Sequence, residues 1–560
     1  MKNFKKMLAL VIAAVMIVGT MSTGTAFAET PNGLTADTKV TISGLDANDT
    51  VNLYKIIEWD NGTADRRAGW VLTSDFKDKT GMNDLLGRIN AVTEGAYSLT
   101  EADVKLITDV INANKPSKIS GGAVADGKSE TTVDPGMYIA LVKPAKTDTL
   151  YNPIIVSADY SADNGTNIMG SSVPLSQAMV GYDANATAKK ETLKVEKTED
   201  DKTDDTDNSY DVGDTVSFTV KTTIPTFADV YTNPIFKITD EMSDGLVITR
   251  GTFKVKVGGT EVDALASRVS VDTSTSWSLD LTGTDYVKLD APTPIEITYD
   301  AVLTESVFKS VNEETNDVKV EFSNNPDNQE DKGTVKDKTR TYTFSIDGNL
   351  LGRSGIRTSE LVKVAVDGNG NPIMQSTATG VTYDNALKGA VFGLYTDSSC
   401  AADKVYKNKV NNVEKIWNNI VTDENGYMEI NGLDAGTYYL KEISAPAGYI
   451  ADQKVHTIVI DAQYDTETVT ENGYTYDLPK LKSYTITIDG ATTSTYNMTL
   501  DASDITTSDA TNLPTSIKNT KGIELPSTGG MGTTLFYIIG AVLVLGAGIL
   551  LVTRRRMSAN

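Results

Sequence analysis

Short segments in which apolar and polar residues alternate recur along most of this 560-residue chain. Examples are residues 51–57, 215–221, 236–239, 295–303 and 318–322. Because successive side chains of a β-strand point to opposite faces, each segment can bury one face and expose the other. Short strands at this spacing, separated by turn residues, predict a mainly β fold of tandem immunoglobulin-like sandwich domains.

Two stretches in the first third of the chain interrupt the strand pattern. Residues 74–92 and 101–111 have helical spacing, and Thr100 is placed to cap the second stretch, with Asp103 three residues on. We therefore expect the first domain to be an antiparallel sheet with a helical insertion.

The N-terminus has the layout of a secretory signal peptide. Lys2, Lys5 and Lys6 precede an apolar run over residues 7–18, and small residues follow. The expected cleavage lies between Ala28 and Glu29.

The C-terminus predicts a transmembrane helix. Residues 535–552 carry no charge, and at about 1.5 Å per residue they span close to 30 Å of hydrocarbon. Arg554, Arg555 and Arg556 then favour a cytoplasmic tail. We expect everything between the two apolar segments to face the outside of the cell.

The length predicts about three domains, at roughly 100 to 200 residues each. The expected division is a signal peptide over 1–28, domains over 29–187, 188–340 and 341–521, and a C-terminal sorting segment over 522–560. The net charge of -24 and the pI near 4.5 argue against nucleic acid as a partner.

The chain has one cysteine, Cys400, which excludes an internal disulfide and which we expect to be buried. The only histidine, His456, alternates with isoleucines and has no evident nucleophile beside it, so a hydrolase site is not indicated. Asp367, Asn369 and Asn371 imitate the start of a calcium loop, but the glycine and glutamate that such a loop requires are missing. No metal or cofactor is expected.

The segment Leu525, Pro526, Ser527, Thr528, Gly529, followed by the apolar span and the arginines, resembles a cell-wall sorting signal of Gram-positive bacteria. The resemblance implies that a sortase thiolate cleaves between Thr528 and Gly529. The sortase then passes the Thr528 acyl group to an amine and leaves the membrane span behind. The mature chain is then attached to the cell wall on the extracellular surface, after transient membrane retention by its C-terminal helix.

The segments 212–216, 236–240 and 389–395 resemble the SpaA-type backbone pilins, whose modules are Cna-type sandwiches. The resemblance implies a structural subunit of a sortase-assembled pilus and no enzymatic activity. The implied partners are a pilus-specific class C sortase, a housekeeping sortase, other copies of the chain, minor pilins, peptidoglycan and a host or bacterial surface ligand. The alternative is a singly anchored adhesin or a minor pilin.

In this family, each module is closed by an isopeptide bond between a lysine and an asparagine, assisted by a carboxyl group. The amine can attack only when it is neutral, and burial favours the neutral form. The acid must polarise the carboxamide and move protons to the departing ammonia. All three groups must therefore point into the core.

Strand alternation in the middle domain selects among the candidates. Lys197 shares a face with Leu193 and Val195, whereas Lys194 lies opposite. By the same criterion, Asp240 and Asn316 lie in phase with the apolar residues of their segments, and the family motif also places the triad at these positions.

In the C-terminal domain, the family resemblance implies Glu442 as the acid and Lys363 as the amine. Asn519 is the expected carboxamide, and it lies on the same face of its segment as Ile517. Alternation is not decisive for Lys363, because apolar residues occupy both faces of its segment. In the first domain, Val142 stands at the position that corresponds to Glu442, so we expect no crosslink there.

Polymerisation in this family requires an exposed lysine in a Tyr-Pro-Lys motif at the end of the first domain. The matching stretch, residues 186–190, lacks the tyrosine and the proline. Position favours Lys189 as the acceptor, with Lys190 as the alternative.

Overall fold

The computed structural model describes residues 38–60, 69–91, 99–134, 136–158, 184–199, 208–228, 230–309, 314–328, 330–348, 360–366, 369–371, 374–377, 380–383, 385–410, 413–471, 474–498, 505–507, 514–522 and 532–558. The expected signal peptide with its Ala28–Glu29 cleavage site and the sorting motif over 525–529 lie outside these residues. The chain forms two compact units, one of Met1–Tyr342 with Tyr464–Lys482, the other of Thr343–Gln463 with Ser483–Asn560. The fold is mainly β, as the sequence predicts.

The N-terminal part of the first unit has a central sheet that is covered on both faces. This sheet has the order β3-β2-β6-β8, and β4 also pairs with β2. Helices α1 and α2 pack on one face, and the small sheet β5-β1-β9 supplies the apolar cluster on the other. The elements are β1 (Thr38–Ser43), β2 (Thr50–Asp60), β3 (Gly69–Leu72), α1 (Met82–Asn90), α2 (Glu101–Asn114), β4 (Ile119–Ser120), β5 (Lys128–Val133), β6 (Gly136–Lys143), β7 (Thr149–Tyr151), β8 (Ile154–Ala158), β9 (Asn185–Thr187) and β10 (Lys190–Thr192).

The two helices agree only in part with the sequence prediction. Helix α2 begins after Thr100, whose side chain forms a reciprocal capping box with Asp103, as expected. Helix α1 begins at Met82 and not at residue 74, so the predicted start was wrong. Gly81 precedes it with a φ of 81°, a left-handed conformation that ends any right-handed helix, and turns occupy the preceding residues.

The middle part of the first unit is a sandwich of two antiparallel sheets. One sheet has the order β11-β12-β19-β15-β16, with β14 also on β19, and the other has the order β17-β18-β13-β20-β21. The elements are β11 (Val195–Glu199), β12 (Thr215–Ile224), β13 (Phe236–Met242), β14 (Leu246–Ile248), β15 (Lys254–Val257), β16 (Thr260–Glu261), α3 (Asp263–Ala266), β17 (Ser270–Val271), β18 (Ser276–Asp280), β19 (Thr293–Leu303), β20 (Glu314–Ser323) and β21 (Lys332–Thr341), with 3-10 turns at Asp285–Val287 and Glu305–Lys309.

The segment Tyr464–Lys482 completes the first unit from a distant part of the sequence. Tyr474 and Tyr476 belong to the same buried apolar cluster as the middle sandwich. Arg340 and Glu467 form an ion pair at 2.7 Å. Local sequence pattern does not indicate this association, because it depends on contacts between residues far apart in the chain.

The second unit contains a three-stranded sheet, β23-β37-β32, and most of a larger sheet with the order β29-β26-β31-β33-β34-β35-β36. The parts of β33 and β34 that lie within Tyr464–Lys482 belong to the first unit. Strands β23 and β37 run parallel. The elements are β22 (Phe344–Ile346), β23 (Leu361–Ala365), β24 (Met374–Thr377), β25 (Gly380–Tyr383), β26 (Val391–Tyr395), a 3-10 turn (Ala402–Lys404), β27 (Lys407–Val410), β28 (Val413–Ile416), β29 (Ile420–Val421), β30 (Ile430–Leu433), β31 (Gly436–Ser444), β32 (Tyr449–Ile450), β33 (Val455–Glu471), β34 (Tyr474–Ile488), β35 (Ala491–Met498), β36 (Ile505–Thr507), β37 (Thr515–Lys521) and α4 (Gly532–Met557).

Two features of the second unit bear on the sequence predictions. Cys400 is only half-buried, so the expectation of a buried cysteine was wrong. It lies in a turn closed by its own backbone N–H, which donates to the carbonyl of Asp397, and its φ is 48°.

Within α4, the segment Leu535–Met557 has a mean hydropathy of 2.7 and is long and apolar enough to cross a membrane.

Candidate functional site

The middle sandwich brings the predicted triad together in its core. Lys197 lies on β11 in one sheet, whereas Asp240 on β13 and Asn316 on β20 lie in the facing sheet. All three residues are at most 5% exposed. The Nζ atom of Lys197 donates a short hydrogen bond to Oδ2 of Asp240. The neighbouring Lys194 and Glu241 are exposed, so alternation selected the inward residues correctly.

Burial changes the ionisation of this lysine and acid in opposite directions. Desolvation lowers the pKa of Lys197, although the charge of Asp240 opposes the shift. Desolvation likewise raises the pKa of Asp240, against the effect of Lys197. Both shifts favour transfer of the proton from the amine to the carboxylate. The site can therefore hold a neutral lysine, the form that acts as a nucleophile.

A fourth residue, Tyr299 on β19, belongs to this site and was not predicted from the sequence. Its hydroxyl lies 2.9 Å from Nζ of Lys197, 2.9 Å from Oδ1 of Asp240 and 2.8 Å from Nδ2 of Asn316. Tyr299 is in phase with Ile297 and Ala301, both fully buried. That alternation was a usable signal, because it places a hydroxyl on the inward face of a strand.

The second unit assembles the other predicted triad. Lys363 on β23 donates from Nζ to Oε2 of Glu442 on β31 at 2.8 Å. Asn519 on β37 donates from Nδ2 to Oε1 of the same carboxylate at 2.9 Å. The three residues are at most 3% exposed. A single carboxyl group thus connects the amine with the carboxamide.

The surroundings of Lys363 explain why alternation could not select it. Leu361, Val362 and Val364 are buried together with Lys363, so both faces of β23 are covered. Burial lowers the pKa of Lys363, opposed by the hydrogen bond and charge of Glu442. The backbone N–H of Asp452 also donates to Oε2 of Glu442 at 2.6 Å, which holds the carboxylate in place.

The two sites occupy different positions in their sandwiches. In the second unit, Lys363 and Asn519 lie on neighbouring parallel strands, β23 and β37. In the middle sandwich, Asn316 lies on β20, and β21 follows it as the last strand. The carboxamide of the middle site is therefore on the next-to-last strand, and the last strand, β21, forms the edge of the sheet.

The two candidate acceptor lysines differ in their contacts. Both side chains are exposed. Lys189 lies between β9 and β10, and Lys190 is the first residue of β10. The Nζ atom of Lys190 donates to Oδ1 of Asp46 at 2.7 Å. Within the described part of the chain, the amine of Lys189 has no ion-pair partner. Its backbone carbonyl accepts from the N–H of Asn152 at 3.1 Å, which anchors the segment.

Other candidate sites gain no support. Val142 is fully buried, and none of the buried polar residues described over 38–158 is a lysine. The imidazole of His456 lies between the carboxylates of Asp452 and Asp489, at 3.2 and 2.8 Å. Among the residues described, no group of three or more His, Cys, Asp or Glu side chains is arranged to hold a metal ion.

Three protein families match separate parts of the chain. Residues 212–326 match the Gram-positive pilin backbone subunit 2, Cna-B-like domain. Residues 374–475 match the SpaA prealbumin-like fold domain. Residues 517–558 match the LPXTG cell wall anchor motif, which includes the apolar helix α4. The matched ranges contain Asp240, Asn316, Glu442 and Asn519, whereas Lys197 and Lys363 lie outside them.

A curated protein and a solved structure, both from Streptococcus pyogenes serotype M6, are similar over most of the chain. The trypsin-resistant surface T6 protein of serotype M6 is 25% identical over 521 residues, which is 82% of this chain and 86% of that protein. The solved structure of the T6 backbone pilin of serotype M6, reported as a modular three-domain structure, has 19% identity and a TM-score of 0.54. The match covers 88% of this chain and all of that chain, and it supports the fold.

The pilin backbone domain, the prealbumin-like domain and the cell-wall anchor occur in one chain in that order. Such a chain is polymerised by sortase with other pilin subunits and is anchored to the cell wall at the bacterial surface. The chain is therefore a backbone pilin of Gram-positive pili that carries a C-terminal LPXTG anchor.

Proposed function

We propose that this pilin closes two of its domains with internal isopeptide bonds and is joined to the next subunit through Thr528 and Lys189. The internal bonds are Lys197 to Asn316, assisted by Asp240, and Lys363 to Asn519, assisted by Glu442. The domains that carry these bonds span residues 188–340 and 341–521, after a first domain over 29–187 without such a bond. The signal peptide ends at Ala28, and the sorting segment spans 522–560.

The observation that carries this proposal is the burial of two lysine amines beside an acid and a carboxamide. A buried charged lysine is costly unless it is paired, and an uncrosslinked asparagine beside it adds another polar group to the core. In both sites, the carboxamide oxygen of the asparagine has no hydrogen-bond partner within the described structure. Formation of the amide bond removes the lysine charge altogether. The burial of these three groups together is therefore best explained by a site that forms a lysine–asparagine amide bond.

The acceptor role of Lys189 is supported by its freedom from other contacts. Attack on the Thr528 acyl group requires a neutral amine that can enter the groove of a sortase. The ion pair with Asp46 retains the amine of Lys190 on the surface. Lys189 has no such restraint among the residues that the structure describes.

The remaining partners follow from this assembly. A pilus-specific class C sortase forms the link between subunits, and a housekeeping sortase attaches the finished polymer to peptidoglycan. Minor pilins and a host or bacterial surface ligand complete the set of partners. The chain itself acts on no other molecule, so it is not an enzyme, and its only chemistry is on its own side chains. The name of the T6 relative records resistance to trypsin, and the internal bonds give this chain the same property.

Replacement of Thr528 by alanine is expected to abolish both the polymer and the wall-bound monomer. The sortase would no longer find the threonine that its motif requires, and the chain would stay in the membrane through α4. Immunoblots of wall and membrane fractions boiled in detergent test this. The native chain should give a ladder of high-mass bands from the wall fraction.

The matched control is Ser527→Ala, at the variable position of the motif, which should leave the ladder intact. A native chain that gives a single wall-bound band would favour the singly anchored adhesin or minor pilin. A ladder that persists in the Thr528→Ala variant would contradict the assignment of the sorting motif.

A further inference from the structure

The Tyr299 hydroxyl lies at the centre of the middle site and contacts all three members of the triad. We propose that Tyr299 is a catalytic residue of the middle crosslink, whose hydroxyl carries a proton between Asp240 and the carboxamide of Asn316. The inference rests on the crosslinking reaction proposed above.

The first argument is the reach of the acid. In the second unit, the longer side chain of Glu442 uses one oxygen for Lys363 and the other for Asn519. In the middle site, Asp240 is one methylene shorter, and no hydrogen bond joins it directly to Asn316 in the described structure. The Tyr299 hydroxyl fills this gap, at 2.9 Å from Asp240 and 2.8 Å from Asn316.

The corresponding surroundings of Lys363 contain an aromatic ring without a hydroxyl. The ring centroid of Phe392 lies 5.3 Å from Nζ of Lys363, and the ring centroid of Tyr299 lies 5.6 Å from Nζ of Lys197. Each lysine has a phenylalanine ring beside it, since the ring centroid of Phe218 also lies 5.3 Å from Nζ of Lys197, and the site with an aspartate has a tyrosine as well. A tyrosine beside the shorter acid is expected if its hydroxyl compensates for the missing length.

The ring of Tyr299 is held in a fixed orientation. It stacks on Phe218 and Phe253, with ring centroids at 5.5 and 5.2 Å, and meets the edge of Trp277 at 5.3 Å. These contacts leave the ring little freedom to turn away from the triad. Burial and the nearby charge of Asp240 raise the pKa of Tyr299 well above its ordinary value, so the phenol keeps its proton.

The hydrogen-bonding capacity of the phenol matches its three neighbours. A phenol donates one hydrogen bond and accepts two. In the structure, it donates to Asp240 and accepts from Lys197 and Asn316. The Oδ1 atom of Asn316 is buried and has no hydrogen-bond partner in the part of the chain that the structure describes. A half-turn of the carboxamide would bring this oxygen to the hydroxyl, which would then donate to it.

The reaction balances without an outside reagent. The amine of Lys197 first gives its extra proton to Asp240, which makes both groups neutral. Asp240 then donates to the Tyr299 oxygen while the Tyr299 hydroxyl donates to Oδ1 of Asn316, so the carbonyl is polarised as Nζ attacks Cγ. The new C–N bond forms as Nζ gives up one of its two remaining protons, and this proton passes through Asp240 and Tyr299 to Nδ2 while the bond from Cγ to Nδ2 breaks. Asp240 ends in its protonated form. The products are the amide and one ammonia.

The test replaces Tyr299 with phenylalanine in the full ectodomain. Because general acid–base groups contribute about 100-fold or more, the rate of the middle crosslink should fall by about 100-fold. Intact mass and peptide mapping follow the loss of one ammonia from the middle site over time in freshly translated chain. The crosslink between Lys363 and Asn519 should form at the native rate in the same molecules, and it serves as an internal reference.

Two further variants separate catalysis from packing. Tyr231→Phe removes another buried hydroxyl from the same core, one without a hydrogen-bond partner among the described residues, and should leave the rate unchanged. The double variant Tyr299→Phe with Asp240→Glu reproduces the arrangement of the second unit and should recover the middle crosslink. A native rate of the middle crosslink in Tyr299→Phe would overturn the proposed proton transfer through Tyr299. A reduced rate that the added Asp240→Glu substitution does not restore would also overturn it. If the native chain itself lacks the middle crosslink, the proposed function fails instead.

Discussion

Replacement of both Asn316 and Asn519 by alanine is expected to produce an ectodomain with the mass its sequence predicts. The native ectodomain, by contrast, should be lighter than its sequence by two ammonia masses. Each variant side chain lacks the carboxamide that the lysine attacks, while the paired Lys and acid remain in place. The variants therefore remove the bonds without leaving a buried charge unpaired, an effect that would itself be strongly destabilising.

The same double variant should be much less stable than the native chain. By analogy with disulfides that close loops of about 120 and about 160 residues, each bond contributes about 5 kcal/mol to the free energy of unfolding. The hydrogen bond lost with each asparagine accounts for only about 1 kcal/mol. Thermal unfolding should therefore begin at a clearly lower temperature in both units, and trypsin should digest the variant faster.

Asn408→Ala provides the matched control. Asn408 is also buried, accepts a hydrogen bond from Nε1 of Trp417 at 2.9 Å and belongs to neither triad. This variant should keep the deficit of two ammonia masses and lose only about 1 to 2 kcal/mol. Equal masses for the native chain and the Asn316/Asn519 double variant, after correction for composition, would rule out the internal bonds.

Replacement of Lys189 by alanine is expected to abolish the polymer and leave a wall-anchored monomer. The acceptor amine would be lost, but the Thr528 motif would still be processed and joined to the wall. Lys189 is at the surface, so the fold should not change. Immunoblots of detergent-boiled wall extracts measure the ratio of ladder to monomer.

Lys190→Ala is the control that the structure supplies. It removes the neighbouring amine, which is bound to Asp46, and should leave the ladder intact. Loss of the ladder in Lys190→Ala with its retention in Lys189→Ala would assign the link to Lys190. A ladder that persists without both lysines would place the acceptor elsewhere in the chain.

Much of the candidate site could be predicted from the sequence because strand alternation is a local property. Lys194 and Lys197 point to opposite faces of their segment, and only Lys197 is buried. The same criterion places Asp240 and Asn316 inward. The criterion failed for Lys363, since residues on both faces of β23 are buried.

The features that sequence reasoning missed depend on contacts between distant residues. Tyr299 was in phase with buried neighbours, but its role appears only when β19 faces β13 and β20. The grouping of Tyr464–Lys482 with the first unit likewise depends on packing and not on local pattern. The start of α1 was set by the left-handed Gly81, which hydrophobic periodicity does not detect.

Peptide mass mapping of polymer extracted from the wall tests the central claim most directly. We predict three branched peptides: one joins Thr528 to Lys189, one joins Lys197 to Asn316, and one joins Lys363 to Asn519. Each internal bond should be lighter than its two component peptides by one ammonia. Thr528 found only on peptidoglycan, together with unmodified Lys189 and Lys197 peptides, would contradict the account.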